Sequence, residues 1–185
     1  MKFDNYLLRP ISKKDALAYY TLVQINKEHL MLYFPTTLSA NSSLISTSSY
    51  ITTCCKRMKK KEFYIYLICD TQENYKIIGA VFIKDIDWNI PKSELGFFID
   101  ETYQGKGIVS KAVSYIIKFC FEELHLTKLI IRSAVNNKAS RKVAENNHFL
   151  LEGIIRKDIK TYDGTIVDVA FYGLLKNIEK KSIIV

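Results

Sequence analysis

No apolar run in the chain approaches the ~20 residues that cross a bilayer. The opening Met1-Lys2-Phe3-Asp4-Asn5 also lacks the apolar segment of an export signal. Neither a membrane span nor secretion is expected. The four cysteines, Cys54, Cys55, Cys69 and Cys120, include no CxxC pair. Cys54 and Cys55 are adjacent, which suits neither a tetrahedral zinc site nor an easy mutual disulfide. The expectation is reduced thiols in a cytoplasmic protein, with no metal. Internal repeats, linkers and low-complexity segments are absent as well. The 185 residues therefore read as one domain over 1–177 and a C-terminal tail over 178–185.

Acidic residues are outnumbered, leaving a net charge of +8. That charge is either a solvated basic surface or an attraction for a polyanion such as a cofactor phosphate or RNA. Its densest cluster, Lys56-Arg57-Met58-Lys59-Lys60-Lys61, falls at the end of a predicted helix, where cations also suit the helix dipole. No RNP-type or zinc-finger pattern accompanies it, so no direct nucleic-acid specificity is expected.

What is present centres on 94–113. Leu95, Phe97 and Ile99 alternate with Gly96 and Phe98, as in a strand. Gln104-Gly105-Lys106-Gly107 breaks the strand. Ile108, Val109, Ala112, Val113, Ile116, Ile117, Cys120 and Leu124 then recur at helical spacing. A glycine loop feeding a helix turns several N–H groups one way, and these can hold a phosphate with help from the helix dipole. Lys106 adds a positive charge. The other reading is a tight turn that needs glycine for its backbone freedom. A Rossmann fingerprint is excluded because Ser110 stands where the third glycine belongs, and no Gly-Lys-Ser/Thr makes a P-loop.

Tyr6 to Ile11 reads as a first strand. Ser12 is the N-cap of a helix to about Asn26, with Asp15 three residues on and Leu17, Tyr20, Leu22, Val23 and Ile25 as its apolar side. The stretch 26–41, containing Pro35, is a loop or broken helix; its Tyr33 and Phe34 line a pocket or belong to local core. A second helix runs from Ser42 to Lys61. Strands follow at Phe63 to Cys69 and Ile77 to Ile83, then the central strand and helix. Leu129 to Val135 is a buried strand, and a helix opens at Asn136–Ser140. A hairpin closes the chain, with Phe149 to Ile159 and Val167 to Leu175 around Tyr162-Asp163-Gly164. This order, β-α-α-β-β-β-α-β-α-β-β, is an α/β (α+β) domain with a mixed sheet.

Gln104-Gly105-Lys106-Gly107-Ile108-Val109 resembles the Gln/Arg-x-x-Gly-x-Gly/Ala loop of the GNAT (Gcn5-related) N-acetyltransferase superfamily. Within it the chain looks most like the RimL/RimJ branch of ribosomal-protein N-terminal acetyltransferases. Three segments carry the likeness: Ser93–Phe97 through Gly107; Val135-Asn136-Asn137-Lys138-Ala139-Ser140 with Phe149–Gly153; and Asp163-Gly164 with Asp168–Leu175. The resemblance implies a GNAT fold, a mixed, mostly antiparallel sheet of six to seven strands flanked by about four helices. It implies acetyl-CoA as cofactor, with the pantetheine arm along Phe97, Phe98 and Ile99 where the central strand splays from its neighbour. The pyrophosphate would lie on Gln104, Gly105, Lys106, Gly107, Ile108 and Val109, and Asn137 and Ser140 would contact the cofactor. The implied acceptor is a primary amine, in this branch a protein N-terminus. The competing readings are a small-molecule amine (polyamine or aminoglycoside) and a CoA-binding regulator without turnover. A homodimer is left open.

Acetyl transfer needs a neutral amine, a polarised carbonyl and a proton for the departing thiolate. Glu94 is the first candidate base, or else an exposed strand-end acid; alternation sets it on the face of Gly96 and Phe98, away from Leu95, Phe97 and Ile99. The resemblance makes Ser140 the proton donor, while Asn137 also suits a helix N-cap. Four positions depart from the family pattern. Val109 replaces Gly or Ala. Ala144 stands where many members have a tyrosine acid. His148 replaces a glycine and is read as a substituted C-cap. The strand acid of the RimL branch falls on Ile159 or Lys160, with Asp158 nearby but aimed at the other face unless a bulge intervenes.

Overall fold

The computed structural model describes residues 1–162 and 164–176. The reading of 178–185 as a tail, and Asp163 of the hairpin turn, lie outside the described residues. The chain opens with β1 (Lys2–Phe3) and β2 (Tyr6–Pro10). Next come α1 (Ala16–Ile25), α2 (Lys27–Met31), α3 (Pro35–Ala40) and α4 (Leu44–Lys59). Strands β3 (Tyr64–Asp70), β4 (Lys76–Asp87) and β5 (Lys92–Ile99) lead to α5 (Ile108–Glu122). The remainder is β6 (Lys128–Ala134), α6 (Lys138–Asn146), β7 (Leu150–Lys160) and β8 (Ile166–Leu175).

These strands make one 8-stranded sheet in the order β1-β2-β3-β4-β5-β6-β8-β7. Every pairing is antiparallel except β5 with β6. One face carries α5 and α6, with Ile68, Val81, Leu95, Phe97, Ile108, Val113 and Ile116 in its core. The other carries α1 to α4, with Tyr19, Leu22, Val23, Ile51, Leu67, Ala80, Phe82 and Phe98. Strand β3 is buried on both faces, which is why Tyr64–Cys69 reads as an unbroken apolar run rather than an alternation.

Ser12 does not cap α1 itself: it precedes a 3-10 turn at Lys13–Asp15, and α1 starts only after Asp15. Asp15 Oδ2 accepts from Ser12 N at 2.7 Å and from the Ser12 hydroxyl at 2.9 Å, and both Asp15 oxygens accept from Arg9 at 2.8 and 2.7 Å. Burial alone would raise the Asp15 carboxyl. Arg9 and Ser12 outweigh it and hold that group below its ordinary value.

Several elements differ from the sequence reading. The sheet gains a strand because Lys2–Phe3 pairs with Tyr6 and Leu7, a ladder too short to leave a periodicity. Among the described residues six helices form rather than about four, since 26–41 folds into two short ones, the second begun by Pro35 at its first position. Helix α1 buries only Tyr19, Leu22 and Val23, while Leu17 and Ile25 of the expected apolar side are 63% and 69% exposed.

The feature that matters for function lies between β5 and β6. They pair only at Lys92↔Lys128, Ser93↔Leu129 and Glu94↔Ile130. Beyond Glu94, β5 continues against β4 to Ile99 while β6 diverges. A wedge opens in the middle of the sheet.

Candidate active site

The wedge has a determined polarity. Asp100 N donates to Ile78 O at 2.7 Å. In an antiparallel ladder the residues that exchange bonds alternate. Gly96 and Phe98 therefore share the phase of Asp100 and turn their N–H and C=O groups to β4. Phe97 and Ile99 turn theirs into the gap, where β6 no longer meets them.

The wedge ends at the glycine loop. Asp100 Oδ1 accepts from Thr102 N at 3.0 Å and from the Thr102 hydroxyl at 2.7 Å, holding a 3-10 turn at Glu101–Tyr103. Burial would raise the Asp100 carboxyl, but the Thr102 bonds and Lys76 hold it below its usual value. Asn26, buried between α1 and α2, ties this turn down by accepting from Glu101 N at 2.9 Å. Gly105 and Gly107 then both adopt φ +73°, and Gly107 caps α5. Only glycine enters that region freely. A Cβ added at either would meet nothing within 4 Å. The loop thus borders open space, and the first amides of α5 face it.

Two connected cavities fill the wedge. One, of about 310 Å³, is lined by Phe97, Phe98, Ile99, Gln104, Gly105, Gly107, Ile108 and Val109 from the strand and loop, and by Asn137, Ser140 and Lys142 from α6. The other, of about 250 Å³, is lined by Lys84, Glu94, Gly96, Phe97, Arg132 and Ile159, and by Phe34, Tyr50, Phe63 and Phe82. Tyr33, Phe34, Phe97, Asn137 and Ser140 border both. Asn137 Oδ1 accepts from Ser140 N at 3.1 Å, so Asn137 caps α6 and also faces the junction. Tyr33 and Phe34 are pocket residues, and Phe34 is packed against the core as well.

Most of the residues singled out in the sequence converge here. Lys106 does not line either cavity: its Nζ donates to Thr102 O at 3.0 Å and lies 4.9 Å from the Tyr103 ring. Val109 lines the larger cavity and also packs, half-buried, against the core beneath α5. His148 is exposed with φ 62° just beyond α6, and its N–H donates to Glu145 O at 3.0 Å. It is a helix terminus, distant in role from the cleft. Ala144 is fully buried, with no polar group to offer.

Glu94 is not an exposed strand-end acid. It is 8% exposed and on the Gly96/Phe98 face, with Lys84 Nζ at 2.9 Å from Oε1 and Arg132 Nε at 2.8 Å from Oε2. Arg132 also pairs with Asp158 at 3.8 Å. Asp158 reaches that face because the β7–β8 register slips between Ile155 and Ile159, with Lys157 at φ 53°. Four charges from β4, β5, β6 and β7 thus meet at one end of the cleft. Lys84, Arg132 and Lys142 were not identifiable from the sequence, because their relevance depends entirely on strand neighbours. His29, whose Nε2 lies 2.8 Å from Gln104 Nε2, escaped for the same reason. No group of three or more His, Cys, Asp or Glu among the described residues is arranged to hold a metal, and no helix among them is long and apolar enough to cross a membrane.

Residues 5–150 match the family described as Acetyltransferase (GNAT) domain. The putative ribosomal N-acetyltransferase YdaF of Bacillus subtilis is 36% identical over 100 residues, 54% of each chain. The ribosomal-protein-serine acetyltransferase of Escherichia coli is 32% identical over 82 residues, 44% of this chain and 46% of that one. The chain thus spans about half the length of these two relatives. It matches 88% of a third, the probable N-acetyltransferase YjcK of Bacillus subtilis, at 26% identity over 161 residues. In fold, a ribosomal-protein-alanine acetyltransferase from Vibrio fischeri superposes with TM-score 0.90 at 24% identity, covering 96% of both chains. RimL, a ribosomal-protein acetyltransferase solved with coenzyme A, superposes with TM-score 0.85 at 24% identity over 94% of this chain and 95% of that one.

Proposed function

The chain belongs to the acetyltransferase (GNAT) family, and on that premise we propose that it transfers the acetyl group of acetyl-CoA to a primary amine by direct attack in a ternary complex. The acceptor is a protein N-terminal amine, as the names of the ribosomal-protein relatives suggest. Residues 1–177 form the catalytic domain on this reading, and the reaction is cytoplasmic. The observation that carries it is the wedge ending on an unobstructed glycine-opened helix start.

Acetyl-CoA supplies the acyl group as a thioester with a thiolate leaving group. The residues do the rest. The inward N–H and C=O of Phe97 and Ile99 extend the interrupted ladder to a pantetheine-like amide chain. The amides after Gly105, the start of α5 and Lys142 meet a diphosphate. A gap-facing N–H of β5 would polarise the thioester carbonyl. The Ser140 hydroxyl, at the junction of the cavities, would be the proton donor for the thiolate. Each Glu94 oxygen has one cation and retains a second lone-pair direction, so Glu94 accepts the amine proton through a water.

Acetyl-CoA at about 100 times its Kd is expected to stabilise the fold by about 2.7 kcal/mol. Thermal unfolding with and without it checks this, and an unchanged Tm removes the proposal. Thiol release with a panel of amines and N-terminal peptides then separates turnover from mere CoA binding, and a protein acceptor from a polyamine or aminoglycoside.

A further inference from the structure

Resting on the acetyl-acceptor reading of the smaller cavity, we infer that the accepted N-terminus begins with a large apolar residue, whose side chain enters an aromatic recess opened by Gly96. A glycine inside a strand is costly unless something approaches its backbone. Gly96 has none of the positive φ that would require it. A Cβ there would meet Phe82 Cδ2 at 3.6 Å and Lys84 Cε at 3.7 Å, which is ordinary contact. Neither backbone nor packing demands glycine at 96, so the missing side chain serves the cavity above it.

That space is walled by rings. Phe82 and Phe63 are 6% and 7% exposed, and Phe34 and Tyr50 complete the recess. The Phe63–Phe82, Phe82–Phe98 and Phe98–Phe34 centroids lie 6.3, 6.0 and 5.8 Å apart, a continuous aromatic floor running to the junction of the cavities. Beside the rings the cavity wall holds Lys84, Arg132 and Glu94, whose charges are paired with one another and, through Arg132, with Asp158. It suits the polar backbone of a peptide and calls for no charged side chain. A first residue of Leu, Met or Phe buries its side chain against the floor; Gly, Ala or Ser leaves the recess empty. Differences of this kind are worth at least about tenfold in kcat/KM.

The test is kcat/KM for peptides that differ only in residue one: Gly, Ala, Ser, Leu, Met and Phe. The large apolar set is expected to lead by at least about tenfold. Gly96→Ala and Gly96→Val should shrink that ratio stepwise, with the acetyl-CoA-induced rise in Tm retained as proof of folding. A flat or inverted ranking in the wild type, or a ratio untouched by Gly96→Val, overturns the inference while leaving the acetyltransferase reading intact. No turnover of any of the six peptides, with the Tm rise present, overturns both the recess and the N-terminal acceptor. No Tm rise and no thiol release from any amine removes the acetyltransferase reading itself.

Discussion

Glu94 and Asp158 compete for one role, and their surroundings separate them. Glu94 borders the cleft with a cation on each oxygen, whereas Asp158 touches the network only through Arg132 at 3.8 Å. Glu94→Gln is expected to lower kcat/KM by about 10²-fold or more with acetyl-CoA affinity kept. Asp158→Asn should cost under about tenfold, because it removes only an outer partner of Arg132. pH–rate profiles of both variants check this; the reverse ranking would make Asp158 the base. Away from the cleft, the Asp15 carboxyl is held below its ordinary value. A group depressed on folding contributes stability above the ordinary carboxylate range, near ~4, and that contribution is lost as pH falls through the folded-state value. Asp15→Asn is therefore expected to destabilise at pH 7 and to flatten the acid limb. Urea titrations at several pH values decide it, and parallel curves for variant and wild type would refute it. The thiols follow the same logic of burial: it pushes Cys54 up to about 11 and Cys120 up to about 12, and Cys69 is buried too. Only half-buried Cys55 is expected to label readily in the native protein at pH 7.5, read by mass spectrometry.

Among the elements, the glycines in and around β5 divide by cause. Gly79 on β4 lies under the central strand, where a Cβ would come 2.6 Å from Phe98 O and 3.1 Å from Ile99 Cα. Backbone cannot yield as a side-chain tip does, so Gly79→Ala should destabilise by about 1–3 kcal/mol. Gly96→Ala should stabilise by about 0.5–1 kcal/mol, because its Cβ meets only ordinary contacts. Chemical denaturation of the pair checks both, and equal signs would refute the distinction. Gly107→Glu sets a carboxylate where the α5 amides open to solvent and is expected to abolish acetyl-CoA binding. These contrasts also mark what the sequence could disclose. The central strand, its loop and α5 were legible because alternation, Gly105/Gly107 and the 3.6-residue repeat are local signals, and Asn137–Ser140 announced a cap. Lys84 and Arg132 were not, because their meeting at Glu94 is made by strand order. The two extra residues of β7 between Ile155 and Ile159 were half-legible: the expected strand acid fell on either Ile159 or Lys160, but only the register with β8 turns Asp158 into the charged network. The helices of 26–41 span five and six residues, too short to build a periodicity.

Across the whole molecule, the sheet is two sheets that share three residue pairs. Strands β1–β5 and β6–β8 share a backbone ladder only at 92–94 with 128–130, and α5 spans them from one face. A ligand lying in the wedge would complete the ladder and join the halves along their length. The phase of β5 makes this visible one amide at a time. Gly96 and Phe98 donate to β4 with or without ligand, whereas Phe97 and Ile99 point into the gap. Residue-resolved hydrogen exchange should find Phe97 and Ile99 fast beside slow Gly96 and Phe98 in the free protein. Saturating acetyl-CoA should slow Phe97, Ile99 and the amides of 105–109 by at least about tenfold, since protection scales with the free energy that keeps the bonds closed. The amides of β3, already enclosed on both faces, should gain no more than the global stabilisation. Protection confined to 105–109 would mean that phosphate is held while the arm stays out of the wedge. A uniform gain along all of β5 would mean that the alternation, and with it the ladder between the two halves, is not how this protein holds its cofactor.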